Sequence, residues 1–133
     1  MNLIAKGFAD QEQTGAIIRF YETEESTEAL GSLICTWRKV IHQENNLKGI
    51  IARFGYLKVQ GKNKKEIKVN CVKTAMQEII KRLEQGDAVF YWISTRKDDL
   101  TEILTTLGFT NTSVNEDGES VWMFNMINPK RDN

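Results

Sequence analysis

The apolar positions of this chain switch between two spacings, alternate residues and every third or fourth, and the switches outline a mixed α/β fold. Residues 2–8 and 16–21 are short, apolar and β-branched, as strands are, and the polar stretch 9–15 between them suits a hairpin. Between 24 and 44, Leu30, Leu33, Ile34, Trp37 and Ile41 recur at three- and four-residue intervals behind Glu24, Glu25 and Glu28. That spacing, with acidic residues at its start, predicts a first helix, ended by Asn45 and Asn46. Residues 49–59 are rich in β-branched and aromatic types and predict a strand, in which Gly55 marks a bulge or bend. The stretch 60–69 leaves two options open. It is either a loop into the next helix, or it contains a short strand over 66–69 folded back on 56–59, with Asn70 as the N-cap of the next helix.

The second half has the clearer pattern. Val72, Ala75, Met76, Ile79, Ile80 and Leu83 form an unbroken stripe at helical spacing, closed by Gly86 in the C′ position. The run 88–93 is apolar almost throughout, which suits a central strand covered on both faces. Asp98 and Asp99 open another helix, with Leu100, Ile103, Leu104 and Leu107 facing inward and Gly108 closing it. Residues 110–114 and 120–127 read as two strands joined by the hairpin turn Asn115-Glu116-Asp117-Gly118. The expected architecture is a single α/β domain over 1–133, with a mixed, mostly antiparallel sheet and flanking helices. A ferredoxin-like βαββαβ core over 16–94 remains an alternative if 66–69 is a strand.

Composition narrows the function classes. At 133 residues, 41% hydrophobic and 27% charged, the chain has the make-up of one globular domain, and no apolar stretch is long enough to span a bilayer. The first residues lack the pattern of an export signal, so a cytoplasmic location is expected. Cys35 and Cys71 stand in no CxxC or Cys/His cluster, so no metal site is expected, and both read as packed small residues. Eighteen Lys and Arg balance eighteen Asp and Glu, which disfavours long-range attraction to nucleic acid. The balance is nevertheless uneven along the chain. Residues 1–30 carry two cations against six carboxylates, whereas 58–73 holds Lys58, Lys62, Lys64, Lys65, Lys68 and Lys73 against Glu66 alone.

From Asn70 to Ile127 the order is helix, apolar strand, helix, Leu107-Gly108-Phe109, strand, Asp117-Gly118 turn, and a strand ending Trp122-Met123-Phe124-Asn125-Met126. This C-terminal half resembles the GCN5-related N-acetyltransferase (GNAT) superfamily, in which a helix ending in an LGF-like tripeptide precedes the last hairpin. The resemblance implies an acyl-CoA site, with acetyl-CoA the expected cofactor, in the gap between two splayed strands, here 49–59 and 88–94. The pyrophosphate would be held by backbone N–H groups where the following helix begins, a natural anion site. In the family that loop reads Arg/Gln-x-x-Gly-x-Gly/Ala. Matching the apolar register of strand and helix puts Lys64 at the Arg/Gln position and Ile67 and Val69 at the two glycines, a departure from the pattern. The implied cofactor-binding residues are Gly61, Lys62, Asn63, Lys64, Lys65 and Lys68. Many members carry a tyrosine on the helix before LGF as proton donor. Here that helix reads Ile103-Leu104-Thr105-Thr106, and Tyr91 and Ser94, on the 88–94 strand and at its end, are the candidate catalytic residues near the thioester.

The resemblance and the charge pattern allow two functions. The first is a transferase that moves an acyl group from CoA to an amine of a small molecule or protein. The second is a non-catalytic GNAT-like inhibitor or adaptor that grips a protein partner, or less favourably a nucleic acid, through the basic segment 58–73. For that segment a solvated loop and helix start is the plainer reading. His42, the only histidine, is expected near a helix C-terminus, where the dipole favours it. The aromatic residues of 88–94 and 120–127 are expected in the core, since strand 88–94 has no basic residue beside them.

Overall fold

A computed structural model describes residues 2–8, 13–42, 47–83, 87–94 and 98–126. The elements in chain order are β1 (Ile4–Lys6), β2 (Gln13–Tyr21), β3 (Gly31–His42), β4 (Leu47–Val59), α1 (Lys64–Leu83), β5 (Val89–Ser94), α2 (Asp98–Thr106), β6 (Thr110–Val114) and β7 (Ser120–Asn125). The strands form one sheet in the order β1-β2-β3-β4-β5-β7-β6. Every neighbouring pair is antiparallel except β4 with β5, whose parallel pairing requires the crossover through α1. This is the expected mixed, mostly antiparallel sheet, and the ferredoxin-like alternative falls with it.

Residues 24–44 depart furthest from expectation, because they form no helix. They hold an exposed acidic loop and then the twelve-residue strand β3. Leu33, Trp37 and Ile41 lie four apart, a spacing that fits both a helix face and alternate strand positions. Ile34 and Cys35 decide between the two. A helix would bury Ile34 beside Leu30 and Trp37, whereas the strand buries Leu33, Cys35 and Trp37 and leaves Ile34 46% exposed. Ile34, Thr36, Val40 and Ile41 are β-branched, and the strand positions that they take, the first two between β2 and β4 and the last two beside β4, reward them more than a helix would. His42 is therefore the last residue of a strand, with no helix dipole to meet. Asn45 and Asn46 lie outside the described residues.

The stretch 60–69 is likewise neither a long loop nor a strand. The connection is only Gln60 to Asn63, and α1 starts at Lys64, where the Ile67 amide donates to the Asn63 carbonyl. Asn70 is inside the helix, its side chain donating to the Glu66 carbonyl, and is not a cap. Gly55 is the expected bulge: Ile34 pairs with Tyr56 and Cys35 with Phe54, so β4 spends one more residue than β3 at this point. The expected hairpin of residues 2–21, the buried strand β5, helix α2 and the last hairpin all form. Gly86, the expected C′ residue of α1, lies outside the described residues. Gly108, closing α2, has φ 92°.

Both helices described cover one face of the sheet, and among the described residues no helix lies on the other, called here the open face. On the covered face Ile18, Phe20, Leu33, Cys35, Trp37, Ile50, Ala52, Phe54, Phe90, Trp92 and Trp122 point from the strands into one core with Ile67, Cys71, Val72, Ile79 and Leu83 of α1 and Ile103 and Leu104 of α2. Phe90, Trp92, Trp122 and Phe124 pack there as expected, whereas Tyr91, also expected in the core, is half-buried on the other face. Phe90 meets Trp92 and Phe109, and Phe109 meets Phe124, at centroid distances of 5.4, 6.1 and 5.3 Å. No helix among the described residues is long and apolar enough to cross a membrane.

Candidate functional site

β4 and β5 run side by side from the pair Gly49 and Val89 to the pair Arg53 and Ile93. β5 ends one residue later, while β4 bulges at Gly55 and runs on to Val59 beside β3 alone. The two central strands thus part at Arg53 and Ile93, and the gap opens at their carboxyl ends, where ligands of α/β sheets bind. Both helices begin at this end, so their N-terminal amides face the same region.

Side chains hold the vertex on both faces. On the covered face the Ser94 hydroxyl donates to the Phe54 carbonyl at 3.3 Å, and Ser94 is only 2% exposed. On the open face the Arg53 guanidinium donates to Glu119 Oε1 at 2.5 Å, reaching across the end of β5 to the residue that precedes β7. Asn115 donates to the same oxygen at 3.1 Å and accepts from the Glu119 amide at 2.9 Å. The Arg53 hydrogen bond, then that of Asn115, hold the Glu119 carboxyl below its ordinary range. Sequence reasoning missed this pair. Arg53 and Glu119 are 66 positions apart, and only the strand order brings them together.

The β4–α1 connection is a tight turn made by two left-handed residues, Gly61 with φ 104° and Asn63 with φ 57°. Asparagine is among the few non-glycine residues that adopt this conformation readily. Gln60 ties the turn to the loop before β3, its amide donating to the Leu30 carbonyl and its side chain to the Ala29 carbonyl. The exposed carboxylates Glu22, Glu24, Glu25 and Glu28 of that loop therefore lie at the same end of the sheet as the basic turn.

The early start of α1 corrects the register expected for the phosphate pattern. Ile67 is buried and Val69 half-buried within the first two turns of the helix, so neither occupies a loop position where a glycine would act. Laid over the turn at 60–63, the family's pattern would read Gln60-x-x-Asn63-x-Lys65, with Asn63, left-handed at φ 57°, at its first glycine position. Nor are the six lysines of 58–73 one patch. Lys62 is in the turn; Lys64, Lys65 and Lys68 are in the first turns of α1; Lys58 sits on β4, pairing with Ser32. Lys65 is ion-paired to Glu102 of α2, and these two, with Lys68 and Ile103, line a small cleft of about 110 Å³ between the helices.

The two candidate catalytic side chains are on opposite faces of β5. Ser94 is at the vertex on the covered face, whereas Tyr91 is half-buried on the open face between Ile51 and Met123. On α2, the Thr105 and Thr106 hydroxyls donate to the Thr101 and Glu102 carbonyls. Beside Ser94, the Trp92 indole N–H is buried with no acceptor among the described residues, its ring edge-on to Phe54 at 5.3 Å. Cys35 and Cys71 are both buried, and burial pushes their thiols up to about 12, so neither is a thiolate at neutral pH.

No protein-family model matches the chain, and no curated protein matches it in sequence. A solved structure does match in shape: the Y144F mutant of the toxin AtaT, bound to the C-terminus of the antitoxin AtaR and to acetyl-CoA. The superposition has a TM-score of 0.58 at 11% identity and covers 95% of this chain and 94% of that one. The likeness reaches well beyond the C-terminal half in which the sequence resemblance was found. The chain has a GNAT-like, acyl-CoA N-acyltransferase fold.

Proposed function

We propose that the protein binds acetyl-CoA in the gap between β4 and β5 and transfers its acetyl group to an amine. The observation that carries this reading is the parting of the strands at Arg53 and Ile93, directly before a turn with left-handed Gly61 and Asn63 that opens α1. Lys62, Lys64, Lys65 and Lys68 surround that turn or the first turns of the helix, where cations oppose the helix dipole unless an anion offsets them. The pyrophosphate of CoA is such an anion.

In the reaction the amine attacks the thioester carbonyl, the C–N bond forms, the C–S bond breaks, and the thiolate takes up a proton. Ser94 at the vertex is the proposed relay, its hydroxyl passing a proton to the thiolate and regaining the one that the amine nitrogen sheds, and Tyr91, on the other face of β5, is the second candidate. A cytoplasmic location goes with this reading, as does a single domain over 1–133. The GNAT-like neighbour binds acetyl-CoA, which supports the ligand and leaves the acceptor open.

A second reading has its own support. Thr105 and Thr106 spend their hydroxyls on their own helix, and Lys65 replaces the second glycine of the phosphate pattern, as a protein that kept the fold as an adaptor would show. Calorimetric titration with acetyl-CoA separates the two. Saturable binding lost in the Lys62→Ala, Lys64→Ala, Lys65→Ala triple variant supports the transferase. No heat at millimolar ligand refutes it.

A further inference from the structure

The strands β1 to β4 contain seven lysines and arginines and not one aspartate or glutamate. Five of those cations are placed by register on the open face. Lys6 pairs with Arg19, Arg19 with Ser32 and Ser32 with Lys58, so one row of the sheet carries three cations across four strands. The next row on that face is apolar: Ile17 pairs with Ile34 and Ile34 with Tyr56, and the three are 51%, 46% and 43% exposed. Beyond it come Thr36 paired with Arg53 and then Arg38 paired with Ile51. Arg19, Arg38 and Lys58 are exposed and make no ion pair among the described residues.

We propose that this face is a docking surface for an acidic amphipathic segment of a partner protein. An apolar row with three cations along one flank, and Arg38 two rows away on the other, calls for apolar anchors with carboxylates on the side of Lys6, Arg19 and Lys58. Rows on one face are two residues apart, roughly 7 Å, so a helix about 10 Å across laid along the apolar row has one flank over the row of Lys6, Arg19 and Lys58. A nucleic acid fits less well, because two of the three exposed apolar side chains are isoleucines, which offer no ring on which a base can stack. The surface is distinct from the turn at 60–63 and does not depend on the acetyl-CoA reading.

The test uses the whole chain and a labelled peptide of roughly 18 residues with leucine and glutamate at helical spacing, read by fluorescence anisotropy. Controls are the same pattern with lysine for glutamate, and a single-stranded oligonucleotide. The glutamate peptide is expected to bind and the lysine peptide not. Binding should weaken at least about tenfold in Ile34→Asp and in the Arg19→Glu, Lys58→Glu double variant, yet persist in Lys62→Ala, Lys64→Ala. All substituted side chains are exposed, and thermal melts confirm that the variants fold. Unchanged affinity in Ile34→Asp overturns the proposal, as does equal binding of the lysine peptide. So does an oligonucleotide that binds this face where the acidic peptide does not. A dimer in sedimentation that Ile34→Asp dissolves also overturns it, by assigning the face to a second copy of the chain.

Discussion

Gly31 offers the sharpest test of how α1 is seated. It pairs with Val59, the last residue of β4 before the basic turn, so the fit at Gly31 sets how closely the helix lies beside the candidate site. A Cβ at this position would stand 2.9 Å from Cys71 Sγ, 3.1 Å from Val59 Cγ1 and 3.3 Å from the Lys58 carbonyl oxygen. Comfortable contacts begin near roughly 3.5 Å, so an added methyl must push the helix or the strand. Gly31→Ala should therefore cost about 2 kcal/mol, the middle of the range for overpacking. Cys71→Ala alone should cost about 1 kcal/mol for one buried heavy atom and the space it leaves. In the double variant the new methyl occupies the space of the lost sulfur, and the two costs should fall short of additive by about 1 kcal/mol. For 133 residues the entropy of unfolding near the midpoint is about 0.28 kcal/mol/K, so Gly31→Ala should lower Tm by roughly 7 °C. Urea unfolding followed by fluorescence of Trp37, Trp92 and Trp122, all buried, gives the cycle directly. Additivity of the two substitutions, or a Gly31→Ala protein as stable as the parent, would refute the close approach.

Glu119 is held below the usual carboxylate range by Arg53 and Asn115, so its contribution is present at neutral pH and lost as pH falls through the lowered folded value. Stability of Glu119→Gln, compared with the parent from about pH 7 to about pH 3, should therefore fall less steeply. Both thiols are raised to about 12, so above about pH 9 the unfolded chain loses protons that the folded one keeps, and stability declines as pH rises. Cys35→Ala and Cys71→Ala should each reduce that decline by up to about 1.4 kcal/mol per pH unit in alkaline urea titrations. A thiol reagent should label neither cysteine until the protein unfolds. Asn63→Gly should leave stability within about 0.5 kcal/mol, whereas Asn63→Val, β-branched at positive φ, should cost about 1–3 kcal/mol by thermal unfolding.

Local signals carried the second half of the fold and, in the first, the hairpin of 2–21 and the strand 49–59, but failed over 24–44. The stripe of α1 from Val72 to Leu83, the continuous apolar run of β5 and the Asn115–Gly118 turn each admit one period or one turn geometry, and each formed. Leu33, Trp37 and Ile41 fit two periods at once, and only the neighbouring strands decide between them. The start of α1 is not legible in the sequence because Lys64, Lys65 and Glu66 carry no apolar signal, while the φ of Asn63, which ends the turn, is invisible in its identity. At the site, the gap between 49–59 and 88–94 was legible through the family resemblance, and the Gly55 bulge from the residue itself. The Arg53–Glu119 pair and the basic row of Lys6, Arg19 and Lys58 were not, because strand register creates both.

The parallel pairing of β4 with β5 has a consequence for the order in which the molecule assembles. β1 to β4 form a meander of antiparallel neighbours, and β5, β7 and β6 form a second antiparallel group; one seam joins them. Across that seam Gly49 meets Val89, forty positions away, against twenty-six for Ser94 and Ser120 of β5 and β7 and far fewer within the hairpins, so closing it costs the most chain entropy. The two groups should gain structure first and the seam last, with β5 amides exchanging sooner than those of β3. A ligand lodged where the seam opens would touch both groups, and its binding energy would go into holding together the joint that forms latest.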